Sequence, residues 1–273
     1  MTEGLISILM GIYNCADTLP QAIDSVLAQT YTDWELIMCD DCSTDNSYEI
    51  AESYRQQYPE KIKLIKNEKN SHLAFTLNHC LQNATGEFSA RMDGDDYIAP
   101  DKFEKQVAYL KAHPEISMAG TMMQVFNGDE LGRVIKYKEF PDKYELRFGP
   151  CFAHASIMMY TDVYNDLGGY TVSKRTVRAQ DYDLWFRFMA KGYRGANMQE
   201  PLYFVRENAD SFMRRKAKLY LWVTVTRFKG FRLLHYPLKY YPYVLLPMVA
   251  MAGNEVRKMK VRITRLFHGG KKN

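Results

Sequence analysis

Short apolar runs alternate with amphipathic segments along the first 114 residues of the chain. The apolar runs are typical of buried strands, and they cover residues 5–13, 34–41, 61–68 and 87–93. The other segments carry apolar residues at helical spacing, and they cover residues 18–30, 43–58, 71–85 and 100–114. Strict alternation with short connections predicts an α/β fold, with a Rossmann-like, mostly parallel sheet flanked by helices.

Polar segments follow three of the four predicted strands. They are "MGIYN" after the first strand, "DDCSTD" after the second and "DGDD" after the fourth. In parallel sheets, ligands bind beyond the carboxyl ends of the strands. We therefore expect these three segments to converge on one crevice.

The usual phosphate-binding motifs are missing from the sequence. No G-x-G-x-x-G follows the first strand, and no G-x-x-x-x-G-K-[ST] occurs in the chain. A crevice that holds phosphates without these motifs needs another positive charge, and Mg²⁺ commonly binds one or two carboxylates together with substrate phosphates. Asp93 and Asp95 are therefore predicted ligands of a divalent cation that binds a diphosphate. A solvated acidic turn is the alternative, because D-G is a turn dipeptide.

Length and composition limit the class of protein. The chain has 273 residues, of which 47% are hydrophobic, so it can bury a full core. Its five cysteines show no framework spacing, and the C-x-x-C of Cys39 and Cys42 has no second pair, so we expect no zinc or redox role. The N-terminal "MTEGLISILMGIYN" lacks the basic start of a signal peptide, which favours a cytoplasmic location.

Charge divides the chain into an acidic body and a basic tail. From residue 206 onward, 16 Lys and Arg stand against 3 Asp and Glu, a net charge of +13. Residues 1–205 hold 20 basic and 29 acidic side chains, a net charge of −9. A basic tail on an acidic body indicates an anionic surface as partner.

The tail is predicted to associate with a membrane without crossing it. Residues 241–253 are apolar but too few for a spanning helix of about 20 residues. Residues 254–267 place apolar side chains at helical spacing among basic ones, which is an interfacial pattern. We therefore predict a helical membrane-associating extension over residues 209–273, peripheral at the inner face of the cell membrane. The alternative is a small helical lobe packed on the body, and no motif indicates nucleic acid as a partner.

Longer segments in a fixed order carry a resemblance to a known family. They are "SILMGIYNCADTLPQAIDSVLAQTYTDWELIMCDDCSTDNS", "GEFSARMDGDDYIAPDKFEKQVAYL", and "HASIMMYTDVYNDLGGY" followed by "QDYDLWFRF". This set resembles the family-2 glycosyltransferases of the GT-A fold, above all bacterial transferases of exopolysaccharide and capsule synthesis. The resemblance implies a GT-A domain over residues 1–208, with a nucleotide-sugar-binding half (1–100) and an acceptor half (101–208).

By this resemblance, Gly11, Tyr13 and Asp41 lie around the base and ribose of the donor. A carboxylate can accept a hydrogen bond from a pyrimidine N–H, and a tyrosine ring offers a stacking face. For Tyr13, a packed aromatic at a strand end is the alternative. Asp93 and Asp95 match the metal-binding D-x-D pair of the family, with Asp93 also on the donor side, and the implied cofactor is Mn²⁺ or Mg²⁺.

The segment "QDYDLWFRF" supplies the acceptor-side candidates. Asp181 occupies the position of the family's general base, which takes the proton of the attacking hydroxyl. Asp183 lies on a different face of the same predicted helix, where it either binds the acceptor or pairs within the first turn. Trp185 is a candidate wall of the acceptor site, with a core position as the alternative. Gln180 replaces the usual Glu, which removes one negative charge beside Asp181.

Two further sets of residues are candidates for the donor phosphates. The resemblance implies that His154 contacts the donor phosphate or the metal, whereas a lone His before an apolar run is usually structural. Lys174, Arg175 and Arg178 belong to a basic segment, residues 173–181, that could close over the donor diphosphate. A solvated loop is the alternative for this segment.

Together these assignments imply a metal-dependent, inverting glycosyltransferase. The expected donor is a nucleotide-diphosphate sugar, most simply a UDP-sugar, and the expected acceptor is a lipid-linked saccharide. Two rival functions are a nucleotide-binding regulator that acts through a protein partner and a nucleotidyltransferase on a similar sheet. Loss of Asp95 or Asp181 would indicate the first, and both are present. The second would need a glycine-rich G-x-G near the N-terminus, which the chain lacks.

Overall fold

The computed structural model describes residues 1–207 and 217–253 of the chain. The strands of its first part are β1 (Thr2–Ile12), β2 (Trp34–Asp40), β3 (Ile62–Lys66) and β4 (Gly86–Asp93). The helices of this part are α1 (Leu19–Leu27), α2 (Ser47–Gln57), α3 (His72–Gln82) and α4 (Lys102–Ala112). The predicted alternation of strands and helices is confirmed, with ends that differ by a few residues.

The rest of the chain adds shorter and less regular elements. Its strands are β5 (Tyr97–Ile98), β6 (Met118–Asn127), β7 (Glu130–Ile135), β8 (Met158–Tyr160) and β9 (Gly195–Arg206). Its helices are α5 (Thr161–Asp166), α6 (Gln180–Ala190) and α7 (Ala217–Leu233). Short 3₁₀ helices cover Lys143–Arg147, His154–Ser156 and Leu238–Leu245.

Within the described residues, nine strands form one mixed sheet. Its order is β3-β2-β1-β4-β8-β6-β9-β5, and β7 pairs with β6. β1 runs parallel to both β2 and β4, and β2 runs parallel to β3. β8 is antiparallel to both β4 and β6, so it joins the first four strands to the second part of the sheet. The predicted α/β sheet flanked by helices is confirmed, and it is parallel where strands alternate with helices.

Helices cover both faces of this sheet. Along β1, Ile8 and Met10 belong to a core with residues of α1, α2 and α4, whereas Leu9 belongs to a core with residues of α3, α5 and α6. This division follows from the alternation of side chains along a strand. Burial on both faces explains why the first four strands are nearly continuous apolar runs in the sequence.

The described part of the predicted tail packs against α6. Phe231, Leu234 and Val244 are buried in the same core as α6. Gly230 allows α7 to approach closely, because a Cβ at this position would overlap ring carbons of Phe186. For residues 217–253, this packing agrees with the alternative of a helical lobe on the body.

The segment of the tail with the predicted interfacial pattern lies beyond the residues that pack against α6. The interfacial pattern of residues 254–267 lies outside the part of the chain that the structure describes. Across residues 1–207 and 217–253, every helix is too short or too polar to span a bilayer. Membrane association therefore stays a prediction.

Candidate active site

The carboxyl ends of β1, β2 and β4 meet at one edge of the sheet. Gly11 of β1 lies opposite Asp93 of β4, and the next residue, Ile12, lies opposite Asp40 of β2. The three polar segments of the sequence therefore converge on one crevice. Gly11 borders α3, where a Cβ would stand 3.1 Å from Cγ2 of Thr76. A Cβ at Gly11 would require the side chains of Thr76 and Leu73 to shift by a few tenths of an ångström.

Asp41 is buried at this edge and anchors the N-terminal end of α3. Its Oδ1 accepts hydrogen bonds from Nδ2 of Asn67 (2.8 Å) and from the N–H of Ser71 (2.7 Å). Its Oδ2 accepts from the N–H of His72 (2.9 Å), which leaves a lone pair for one more donor. Tyr13 is 49% exposed, so its ring is open to solvent at the end of β1.

Asp93, Asp95 and Asp96 form a compact carboxylate cluster after β4. One carboxylate oxygen of each lies within 4.8 Å of the other two. Nη2 of Arg91 lies 2.5 Å from Oδ1 of Asp93, whereas Asp95 is exposed and forms no ion pair within the described residues. Oxygen donors at this separation are what a hard divalent cation prefers, so the cluster fits the predicted metal.

Asp96 is the buried member of the cluster. The hydroxyl of Tyr203 donates to its Oδ2 (2.9 Å), and the N–H of Arg206 donates to its Oδ1 (2.8 Å). Burial and the charges of Asp93 and Asp95 raise the pKa of Asp96 to about 8. Asp95 is exposed as a residue, but partial desolvation of its carboxylate and the charge of Asp93 also raise its pKa. Asp96 is therefore mostly protonated at neutral pH.

Arg91 is a buried cation beneath this cluster that the sequence analysis did not single out. It is 1% exposed, and its Nε and Nη1 have no hydrogen-bond partner in the described part of the chain. Besides its ion pair with Asp93, its charge reaches Asp181 and His154. A signal was present in the sequence: Arg91 and Asp93 are two residues apart on a strand, so they face the same side of the sheet.

Asp181 lies in the first turn of α6 and lines a cavity of about 1240 Å³. Burial raises the pKa of Asp181, although the N–H of Tyr182 and the charge of Arg91 oppose this rise. A raised pKa makes the carboxylate a stronger base near neutral pH. Gln180, the first residue of α6, also lines the cavity and adds no charge there.

Asp183 does not line this cavity and takes part in an ion-pair network. Its Oδ1 accepts from Nη1 of Arg175 (2.6 Å), and its Oδ2 accepts from Nε of Arg187 (2.9 Å) and from the hydroxyl of Thr171 (2.6 Å). Burial opposes ionisation, but these contacts outweigh it and hold the pKa of Asp183 below its usual range. The structure thus gives Asp183 the pairing role that was the alternative to acceptor binding.

Trp185 of α6 points into the core, and the ring of His154 lies beside it, with the two ring centroids 6.1 Å apart. Trp185 is fully buried with its ring centroid 5.3 Å from that of Phe152, and it does not line the cavity. This is the core position weighed as its alternative. Nε2 of His154 lies 2.8 Å from the hydroxyl of Tyr170. Burial and the charge of Arg91 hold the pKa of His154 well below its usual range, so His154 is neutral at pH 7.

The basic segment before α6 forms one wall of the cavity. Lys174 and Arg178 line the cavity with exposed side chains, whereas Arg175 is engaged with Asp183. Arg178 has a φ of 61°, a left-handed conformation that is uncommon for a residue other than glycine. Two of the three predicted cations are therefore placed to meet an anionic ligand.

Arg206, the last residue of β9, holds the loop that carries Asp95 and Asp96, here called the aspartate loop. Its N–H donates to Asp96, 110 residues away in the sequence. Its Nε donates to the carbonyl of Asp95 (3.0 Å), and its Nη2 donates to Oε1 of Gln21 (2.6 Å). No local pattern in the sequence indicates this role, because all three partners are distant along the chain.

Comparison with known sequences identifies the family. The sequence profile of glycosyl transferase family 2 matches residues 7–168. The chain is 44% identical over 248 residues to the putative glycosyltransferase EpsE of Bacillus subtilis (strain 168), which covers 89% of this chain and 88% of that protein. It is 27% identical over 214 residues to the UDP-Glc:alpha-D-GlcNAc-diphosphoundecaprenol beta-1,3-glucosyltransferase WfaP of Escherichia coli, with 78% of this chain and 82% of that protein covered.

Solved structures share the fold at lower identity. S. aureus TarS 1-349 in complex with UDP-GlcNAc aligns with a TM-score of 0.67 and 17% identity over 89% of this chain and 79% of that chain. The mannosyltransferase PcManGT from Pyrobaculum calidifontis, in complex with GDP-Man and Mn2+, aligns with a TM-score of 0.58 and 18% identity over 97% and 81%. The predicted GT-A fold is confirmed. The chain therefore belongs to glycosyl transferase family 2 and is a nucleotide-sugar-dependent glycosyltransferase.

Proposed function

We propose that this enzyme builds an exopolysaccharide, capsule or related cell-envelope glycan by moving a sugar from a UDP-sugar to a lipid-linked saccharide with inversion. The observation that carries the proposal is the arrangement around Arg91. Its guanidinium pairs with Asp93 of the aspartate cluster, and its charge reaches Asp181 on α6. The aspartate cluster and the candidate base thus both lie within reach of one buried cation, an arrangement that suits a single displacement at an anomeric carbon.

Asp181 is the general base in this proposal. An acceptor hydroxyl is a poor nucleophile, and it must lose its proton as it attacks the anomeric carbon. Burial raises the pKa of Asp181, which strengthens it as a proton acceptor. Because one carboxylate serves, the displacement is direct, and an α-linked donor gives a β-linked product.

The donor nucleotide lies at the ends of β1 and β2. Oδ2 of Asp41 has a lone pair for a base N–H, and the exposed ring of Tyr13 offers a stacking face. Gly11 lies beside the nucleotide in this proposal, and its missing side chain lets α3 lie close to this edge of the sheet. His154 stays a candidate contact of the donor phosphate, as a neutral imidazole.

Asp95 is the first ligand that we assign to the divalent cation, Mn²⁺ or Mg²⁺. It is exposed and has no ion pair among the described residues, and Asp93 gives one oxygen to Arg91 and keeps the other for the cation or donor. When bound, such a cation neutralises the diphosphate and stabilises it as the leaving group. The complex of PcManGT with GDP-Man and Mn2+ supports this assignment.

A lipid-linked acceptor is supported by relatives and by charge. WfaP and a second relative, WfgD of Escherichia coli (30% identical over 190 residues), both carry diphosphoundecaprenol-linked acceptors in their names. The net charge of +13 from residue 206 onward favours an anionic membrane, at its cytoplasmic side, where such lipids are reached. In this proposal, residues 1–208 carry the catalytic residues, and residues 209–273 are the membrane-associating part, of which α7 and Val244 also pack on the body.

Calorimetry of UDP binding tests the donor half of the proposal. UDP should bind in the presence of MnCl₂ and lose most of its affinity in EDTA. Asp95→Asn should abolish the metal-dependent affinity. Asp101→Asn should keep it, because Asp101 is a half-exposed aspartate whose Oδ2 lies 2.9 Å from Nζ of Lys105. Equal UDP affinity of the wild type in MnCl₂ and EDTA would refute the metal-dependent donor site of the proposal. Hydrolysis of a panel of nucleotide sugars then identifies the donor sugar.

A further inference from the structure

The cavity beside Asp181 is larger than one small ligand requires. Its volume of about 1240 Å³ exceeds the ~300–1,000 Å³ usual for small-molecule sites. Only part of its wall comes from the catalytic residues. Another part comes from α7 and from residues 246–250, which follow the last 3₁₀ helix, and residues 71–74 and 148–150 complete the wall. The cavity therefore extends from the base into the C-terminal helices.

One face of α7 forms an apolar track that leads away from the catalytic helix. Arg227 anchors its inner end, where Nε donates to the hydroxyl of Tyr182 (2.9 Å), the residue after Asp181. Val223 and Leu219 follow on the same face and line the cavity. At 1.5 Å per residue, Leu219 lies about 12 Å along the helix from Arg227.

Residues 246–250 supply the opposite apolar wall. Leu246 and Val249 line the cavity three positions apart in a helical segment, and they are 37% and 66% exposed. This part of the protein also concentrates exposed apolar side chains. Seven of the fifteen large apolar residues exposed in the described chain are Leu221, Phe228, Leu233, Leu238, Leu245, Leu246 and Val249. Clustered exposure of this kind marks a surface that meets an apolar partner.

The charges in the cavity select an anion. Lys174 and Arg178 are exposed on its wall, and Arg227 adds a third, buried cation. Among the described residues that line the cavity, Asp181 is the one with a carboxylate side chain, and burial raises its pKa. A ligand that carries phosphate at one end and hydrocarbon at the other therefore matches both parts of the cavity.

We propose that Leu219, Val223, Leu246 and Val249, here called the apolar arm, bind the hydrocarbon chain of the lipid acceptor. In this arrangement Lys174 and Arg178 hold the phosphates of the acceptor, in place of the donor diphosphate that the sequence suggests for them. This inference rests on the lipid-linked acceptor of the proposed function and names the subsite for the lipid. The acceptor enters from the membrane along the apolar arm, so that its sugar reaches Asp181. The C-terminal helices are thus part of the acceptor site as well as of the core.

Farnesyl diphosphate and inorganic diphosphate are the probes that test the apolar arm. Both are titrated into the full-length protein by calorimetry, in EDTA so that no metal at the aspartate cluster holds them, and with farnesyl diphosphate below its micellar concentration. The wild type should bind farnesyl diphosphate at least tenfold more tightly than inorganic diphosphate, because burial of about two methylene groups suffices for that factor.

Neutral polar substitutions separate the apolar contacts from the charges. The double variant Leu246→Gln, Val249→Asn should lose about tenfold in affinity for farnesyl diphosphate and keep its affinity for inorganic diphosphate. Leu245→Gln is the matched control, because Leu245 is 58% exposed and adjacent but does not line the cavity. It should bind both probes like the wild type. Lys174→Gln should weaken both probes together.

Two outcomes would overturn the inference: equal affinity of the wild type for the two probes, or equal weakening by Leu245→Gln and by the double variant. The second would mean that the hydrocarbon adsorbs to any exposed apolar residue of this region. The UDP titration with MnCl₂ separates this failure from that of the proposed function. Normal UDP binding without preference for farnesyl diphosphate refutes the apolar arm alone, whereas loss of UDP binding refutes the donor site and leaves the probe result valid.

Discussion

Lys102, at the start of α4, is a buried cation whose effect on stability follows from the structure. It is fully buried, and its Nζ has no hydrogen-bond partner within the described residues. The ring of Phe103, with its centroid 4.7 Å from Nζ, is a weak substitute. Burial lowers the pKa of Lys102 from 10.5 to about 7. The folded protein therefore releases a proton above pH 7 that the unfolded chain keeps up to pH 10.5.

This difference makes the protein more stable as the pH rises from 7 to 10.5, because the unfolded state binds more protons there. Below pH 7 the lysine is charged in both the folded and the unfolded state, so the full free-energy cost of burying its charge is present. A pKa difference of one corresponds to about 1.4 kcal/mol, so the fall to about 7 corresponds to about 5 kcal/mol. About 2.5 kcal/mol of this is regained between pH 7 and pH 9, or about 5–10 °C in Tm for a chain of this size.

Lys102→Met removes the ionisable group and keeps the length of the side chain. The variant should be more stable than the wild type at pH 7, and the difference should narrow by about 2.5 kcal/mol at pH 9. Lys105→Met is the matched control on the same helix, because Lys105 is half-exposed and its Nζ lies 2.5 Å from Oε2 of Glu200. The difference in the free energy of unfolding between Lys105→Met and the wild type should be the same at pH 7 and pH 9.

Urea unfolding of the three proteins at pH 7, 8 and 9 measures these differences directly. The other buried ionisable groups are common to all three, so their contributions to the pH dependence cancel in the comparison. A constant difference between Lys102→Met and the wild type across this range would refute the reasoning. It would mean that the ammonium group stays charged in the folded protein.

Three other predictions concern catalysis, packing and the membrane. Asp181→Asn should lower kcat by roughly 10²-fold or more without changing UDP affinity, because the acceptor hydroxyl loses its general base. The kcat of the wild type should rise with pH as Asp181 ionises, at a pH above the range usual for a carboxylate, and full transfer by the variant or the absence of this rise would exclude Asp181 as the base. Gly230→Ala should lower the free energy of unfolding by about 3 kcal/mol because its Cβ overlaps Phe186. Gly149→Ala, where a Cβ meets nothing within 4 Å, should stay within about 0.5 kcal/mol, and similar losses in both variants would argue against the overlap. The full-length protein should sediment with anionic vesicles at low salt and less at high salt, and retention in the supernatant at low salt would contradict the membrane role.

The packing of α7 determines how the tail can be tested. Phe231 and Leu234 are buried in the core of α6, so a chain that ends near residue 208 would expose that core. Truncation would therefore unfold part of the catalytic body rather than release a separate anchor. For this reason, the vesicle experiment uses the full chain.

Local periodicity was enough to predict the first half of the fold. Strands buried on both faces are continuous apolar runs, and helices with one buried face repeat every three to four residues, so both are visible in a single sequence. The convergence of Gly11, Asp41 and Asp93 also followed from the sequence, because parallel strands in alternation with helices place their carboxyl ends at one edge. The family motifs then assigned the chemistry.

Only the tertiary structure decided which candidates face the cavity. Asp181 and Asp183 are two residues apart on one helix, yet Asp181 lines the cavity while Asp183 pairs with Arg175 and Arg187. Helical spacing shows that their faces differ, but which face is covered depends on the elements packed there. The same holds for Arg206, which reaches the aspartate loop across 110 residues of chain. Such contacts arise from long-range packing, and no property of the neighbouring residues in the sequence encodes them.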